Sequence, residues 1–107
     1  MATIEEFESL GLKVAKIIEV ERVENSDKLV RLKINLGGEE RQIIAGIGKS
    51  YAIEDLVNTE IIVVSNLESK ELMGLQSQGM LLATVDEDNK VVLLKPEKEV
   101  LPGSLVS

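Results

Sequence analysis

Residues 28–36 alternate more strictly than any other stretch of this chain. Val30, Leu32, Ile34 and Leu36 fall on one side, and Arg31, Lys33 and Asn35 on the other. A period of two is the mark of a strand with one buried and one wet face. Here the wet face is basic. Around this segment the chain is rich in β-branched and aliphatic runs. Leu12 to Val20 reads as a strand, and Ile61-Ile62-Val63-Val64, within Glu60 to Ser65, reads as one buried on both faces. Only 2% of the 107 residues are aromatic, a single Phe7 and a single Tyr51, so the core must be built from Ile, Val and Leu.

Turn signals cut these runs into short pieces. Asn25-Ser26-Asp27 precedes the alternating strand, and Gly37-Gly38 follows it as a hairpin turn. Arg41 to Ile47 is the return strand. Tyr51 to Asn58 reads as a short helix around Ile53, Leu56 and Val57. Asn66 to Gly79 reads as a long polar connection, and Met80 to Val85 as a further strand. Asp86-Glu87-Asp88-Asn89 is a turn, across which Val91 to Leu94 pairs back. Pro102-Gly103 turns the chain before Leu105-Val106. At the N-terminus, Thr3 and Glu6 have the spacing of a capping box, so a short helix is expected there, packed through Ile4 and Phe7 and ended by Gly11.

Five to seven short strands with little helix suggest a small barrel. A five-stranded Greek-key barrel with a helix between its third and fourth strands would be an OB-fold, and the helix after Ile47 falls where that topology wants it. The expectation is one all-β domain over residues 1–107: an OB-fold with short helices, an N-terminal helix and extra C-terminal strands.

The absences narrow the chemistry. There is no Cys and no His. Thiol nucleophiles, thiolate metal sites, imidazole ligands and the usual proton shuttle near neutral pH are all missing. The expectation is a non-catalytic binding or assembly module, with no cofactor and no metal, working in a reducing, cytoplasmic compartment. No apolar run reaches the 18 residues of a membrane span, and the first residues show neither the basic nor the apolar region of a secretory signal. Gly48-Lys49-Ser50 resembles the end of a phosphate-binding loop, but Ile43 stands where the first glycine is needed. It reads as a turn after a strand. Asp86-Glu87-Asp88 reads as a hairpin tip, since Lys90 stands where a calcium loop needs a ligand.

Charge is uneven. The formal net charge is −7. Residues 11–49 nevertheless hold eight bases against six acids, whereas residues 50–107 hold four bases against ten acids. Composition alone favours solubility over nucleic-acid binding, since polyanions repel an acidic chain. A local basic surface is still open if the bases from Lys13 to Lys49 share a face.

The long connection makes the chain recognisable. Asn66-Leu67, Leu72-Met73-Gly74 and Ser77-Gln78-Gly79-Met80-Leu81-Leu82-Ala83 resemble the signature of the tRNA-binding domain at the C-terminus of methionyl-tRNA synthetases, also found as stand-alone or β-subunit-like proteins. Asn25-Ser26-Asp27-Lys28-Leu29, Leu36-Gly37-Gly38-Glu39-Glu40-Arg41-Gln42-Ile43 and Pro102-Gly103 fit the same pattern, in order, over nearly the whole chain. The resemblance implies an OB-fold, usually a homodimer, that binds folded tRNA with little dependence on sequence and assists an aminoacyl-tRNA synthetase chain. Lys70, Ser77 and Met80 carry over as loop contacts to RNA, and Asn66 as a residue that holds the loop. Lys28, Arg31, Lys33, Arg41 and Gln78 complete the expected RNA-binding set, with Arg31 taken from the strand alternation rather than from the family. The alternative is a dimerisation or assembly module that docks a synthetase chain and binds RNA weakly. Two departures favour weak binding. Val23-Glu24 replaces a His-Pro pair, and Glu71, near Glu68, stands where the family usually carries a Lys.

Overall fold

The N-terminal helix forms for the expected reason. In the computed structural model, which describes residues 1–107, Thr3 Oγ1 accepts from the Glu6 amide at 3.1 Å, and Glu6 Oε1 accepts from the Thr3 amide at 2.9 Å. This reciprocal cap starts helix α1 (Ile4–Ser9). Its packing differs from expectation. No residue of α1 is buried, Ile4 stands exposed, and Phe7 is only half-buried. The helix is held by its cap and its flanks rather than by a buried face.

Strand β1 (Leu12–Arg22) is the spine of the fold. Its first half pairs with strand β4 (Glu60–Val64), from Leu12 opposite Val64 to Lys16 opposite Glu60. Its second half pairs with strand β2 (Val30–Asn35), with a register irregularity between Ile17 and Glu19. An extra residue there bends the strand and deepens the sheet's twist. Strand β3 (Glu40–Ala45) continues the meander from β2 across the Gly37-Gly38 turn. Val30, Leu32 and Ile34 are wholly buried, so the alternation is realised as read. The single-turn helix α2 (Ile53–Leu56) lies between β3 and β4, where it was expected, and buries Leu56.

Two segments depart from the sequence reading. The expected long connection is a hairpin of strands β5 (Lys70–Leu72) and β6 (Leu75–Ser77), paired from Lys70 opposite Ser77 to Leu72 opposite Leu75. Its two-residue turn is Met73-Gly74, at φ +50° and +79°. Both turn residues have positive φ, as tight hairpins require, but a methionine there carries no turn signal. The expected strand from Met80 to Val85 is divided. Strand β7 (Met80–Leu81) pairs with β4, whereas β8 (Ala83–Val85) pairs with β9 (Val91–Leu93). Leu82 is the switch point: its amide donates to Ile62 O, and its carbonyl accepts from Leu94 N.

The main sheet has the order β3-β2-β1-β4-β7. All five strands are antiparallel to their neighbours, and the sheet curls so that its two ends approach each other. The architecture is the mostly-β, OB-like half-barrel with few helices that the sequence led one to expect. Thirteen buried residues form the core, among them Ile17, Leu32, Ile34, Ile43, Leu56 and Ile61; all are aliphatic, and Tyr51 packs at their margin. The expected last strand is a single bridge, Leu105 to Lys13, secured by Ser104 O, which accepts from Val14 N, and by Gly103 N, which donates to Val14 O. No helix is long and apolar enough to cross a membrane.

Two glycine turns interlock at one end of the barrel. A Cβ on Gly37 (φ +80°) would lie 2.4 Å from Pro102 O, and one on Gly103 (φ +90°) 2.5 Å from Leu36 O. Gly38 (φ +99°) faces open space. Gly38→Ala should therefore cost about 1–2 kcal/mol for the unfavourable φ alone. Gly37→Ala should cost about 3 kcal/mol, because backbone must also move. Urea unfolding midpoints of the two variants check the ordering.

Candidate nucleic-acid interface

The wet face of the β1–β2–β3 meander is the floor of an open groove of about 760 Å³. Glu19 and Glu21 line it from β1, Arg31 and Lys33 from β2, and Glu40 and Gln42 from β3, while Arg41, across from the buried Ile34, reaches it at the β3 edge beside Gln78. A second depression, of about 510 Å³, shares Glu21 and Arg31 and runs to Asn25 on one side and Met73 on the other. Residues 23–25 and the tip of the β5–β6 hairpin thus flank one continuous surface.

Antiparallel pairing decides the charge of this surface. Glu21 lies directly across from Arg31, and the two form an ion pair. Lys33 Nζ lies 3.5 Å from Glu40 Oε1, and Arg41 Nη2 lies 3.2 Å from Glu39 Oε1. Every expected cation lining the groove therefore has a carboxylate partner. The face is a balanced mosaic rather than a basic stripe. Lys28, in the loop before β2, and Lys70, on β5 of the hairpin whose tip reaches the second depression, form no ion pair. The stem of Lys28 packs over Gly46, with its Cε 3.2 Å from where a Cβ would sit. Its ammonium end is the exposed part.

The remaining expected site residues gather at the seam where the curled sheet comes back on itself. Ser77 is buried; its Oγ accepts from Ile44 N at 3.0 Å and donates to Gly79 O at 3.2 Å. Gln78 Oε1 accepts from Gln42 N at 3.0 Å, and Gln78 N donates to Gln42 O at 2.7 Å. Gln42 Nε2 donates to Gln76 O at 2.8 Å. Arg41 Nη1 donates to Ser65 O at 2.6 Å and reaches Gln78 O at 3.4 Å, while Nε and Nη2 donate to the Glu39 carboxylate. Asn66 holds the end of α1, its Nδ2 donating to Ser9 O at 2.5 Å. Met80 is half exposed, at 51%, on the short strand β7.

The structure thus separates the nine expected residues by situation. Lys28, Lys70 and Met80 are open to a ligand; Arg31 and Lys33 are open but ion-paired; Arg41, Asn66, Ser77 and Gln78 are committed to other parts of the chain. Sequence reasoning passed over Gln42, Glu21 and Glu40. The pairing of Glu21 with Arg31 was legible only once the strand register was known. At the rejected phosphate loop, Gly48 N donates to Lys28 O at 2.7 Å, and Arg22 Nη1 binds Gly48 O at 2.9 Å, so that backbone is occupied. Asp86 Oδ1 accepts from the amides of Asp88 and Lys90, which makes it the anchor of the β8–β9 turn.

Comparison with known proteins identifies the family. The family model described as "Putative tRNA binding domain" matches residues 12–105. Methionine–tRNA ligases from Caldanaerobacter subterraneus subsp. tengcongensis and Thermotoga maritima are each 50% identical over 105 residues, covering 98% of this chain. The chain spans only 16% of the length of those two relatives. Among solved structures, a MetRS-related protein from Pyrococcus horikoshii superposes with a TM-score of 0.92 at 34% identity, covering 100% of this chain and 98% of that one. The chaperone CsaA from Bacillus anthracis superposes at 0.89 with 33% identity, covering 100% and 99%. A match over nearly all of the fold, at these identities, places the chain in the tRNA-binding domain family.

Proposed function

We propose that this chain is an accessory, non-catalytic module that binds folded tRNA by its shape and assists aminoacylation, in the manner of a methionyl-tRNA synthetase β subunit working in the cytoplasm. The observation that carries the reading is the lack of any stacking platform beside the groove. Phe7 belongs to α1, and Tyr51 packs at the core margin with its hydroxyl accepting from Leu93 N. OB barrels that hold single strands stack bases on aromatic side chains. A groove edged by lysines, amides and a thioether instead suits phosphates and riboses of a folded RNA.

Within this reading, Lys28 and Lys70 take phosphates directly, and Met80 packs against a ribose or a base face. Arg31 and Lys33 contribute when a phosphate displaces Glu21 or Glu40. Exposed ion pairs are worth only about 0–1 kcal/mol, so that exchange is cheap. Asn66, Ser77, Gln78 and Arg41 hold the shape.

Filter binding with bulk tRNA over a range of salt tests the proposal. Affinity should fall steeply with salt. Lys70→Gln and Lys28→Gln should each lower the slope of log affinity against log salt by roughly one unit. Salt-independent binding, or none at low salt, sinks the reading.

The paired acids give a prediction of opposite sign. Glu21→Gln and Glu40→Gln free a cation on the groove floor. Each should raise tRNA affinity by roughly threefold to tenfold and steepen the salt dependence.

A second reading, assembly, is favoured by one observation. Leu101 and Leu105 stand 81% and 75% exposed near the C-terminus. In this reading they join two copies of the chain as a homodimer, or seat it on a synthetase catalytic chain. Association by such a surface would persist at high salt, and sedimentation at two ionic strengths separates the readings.

A further inference from the structure

We infer that Arg41 and Ser77 are positioning residues for RNA binding, locking the β5–β6 hairpin to the open edge of β3 and fixing with it the strand position that bears Lys70. The inference rests on the proposed tRNA reading and assigns these two residues a role different from direct contact.

Three observations carry it. The first is burial. Ser77 is only 5% exposed, and its hydroxyl both accepts, from Ile44 N, and donates, to Gly79 O. A buried hydroxyl whose one proton is already given has no donor left for a phosphate. The second is register. Lys70 is the cross-strand partner of Ser77, so whatever fixes Ser77 on β3 fixes the strand position that bears the free ammonium. The third is the commitment of the Arg41 guanidinium, four of whose five N–H groups have partners. Its Nη1 bonds Ser65 O and Gln78 O, the carbonyls just beyond β4 and just beyond β6, and its other two nitrogens bond Glu39. Nη1 alone bridges the two ends of the 66–77 segment, while Nε and Nη2 anchor the group on Glu39; a lysine ammonium has too few directed donors to hold all of these partners at once.

The test is a double-mutant cycle against Lys70→Gln, together with amide hydrogen exchange over residues 70–77. Arg41→Lys keeps the charge and loses the fork. It should weaken tRNA binding by at least about threefold and speed exchange of the hairpin amides. In the Lys70→Gln background the same substitution should cost nothing further, because the group it positions is gone. Ser77→Ala should behave alike; Arg41→Lys, which leaves the buried Ile44 amide satisfied, serves if Ser77→Ala fails to fold. Additive losses would show that Arg41 meets RNA on its own account and overturn the inference. So would unchanged hairpin exchange in Arg41→Lys, whatever the binding result. Wild-type protein that binds no tRNA removes the underlying reading as well, whereas wild-type binding with additive variants removes the positioning role alone.

Discussion

An unfinished barrel governs most of what is unusual in this structure. The main sheet begins at β3 and ends at β7, and no ladder joins the two. The outer edge of β3 therefore offers unpaired amides and carbonyls beside the core. A buried amide left without a partner costs about 1–3 kcal/mol. The chain satisfies this edge with side chains: Ser77 for Ile44 N, Gln78 for Gln42 N, and a single backbone bond from Gln78 N to Gln42 O. Side-chain closure has a geometric consequence. A strand ladder would have laid the segment flat against β3, whereas these bonds allow it to leave as a hairpin whose tip lines the second depression. The covered edge is also protected against pairing with other chains.

The charge balance follows from the same meander. Strands that carry alternating polar residues on one face bring acids from β1 and β3 against bases from β2. The total charge of −7 then says little about the groove. The molecule measures 39 × 30 × 29 Å, and the screening length at physiological salt is about 8 Å. Charges on opposite sides of a molecule of this size are largely screened from one another. Local pairing decides instead, and local pairs at a wet surface are weak enough to be exchanged.

This separation of composition from position explains what the sequence could and could not reveal. The β2 strand was legible because its period of two reports its own burial without reference to any partner. The α1 cap was legible for the same reason, since Thr3 and Glu6 satisfy each other within one turn. The β5–β6 hairpin was not, because its turn is a methionine at positive φ and its strands are polar. The division of the run from Met80 to Val85 was hidden as well: apolar periodicity is the same whether Leu81 and Ala83 share a neighbour or not. Within the site, the residue types were readable and their duties were not. Ser77 and Gln78 look like ligand donors in sequence. Their actual partners, Ile44 and Gln42, lie 33 and 36 residues away, and no local pattern encodes that distance.

Lack of aromatics and rigidity of the seam are two sides of one requirement. A base stacked on a ring tolerates small displacements, since the contact is broad and every base offers a face. A phosphate held by a lysine is recognised by where the charge stands. A surface with no stacking platform can discriminate a folded RNA only through the spacing of its few free cations. Mobile cations would lose affinity to ordering and lose discrimination by accommodating many spacings. Lys28 is steadied by its stem against Gly46 and by the bond from Gly48 N to its own carbonyl. Lys70 has no such support of its own and takes its position through Ser77 from β3. On the proposed reading, the polar signature that looks written for a ligand serves instead to keep one ammonium still.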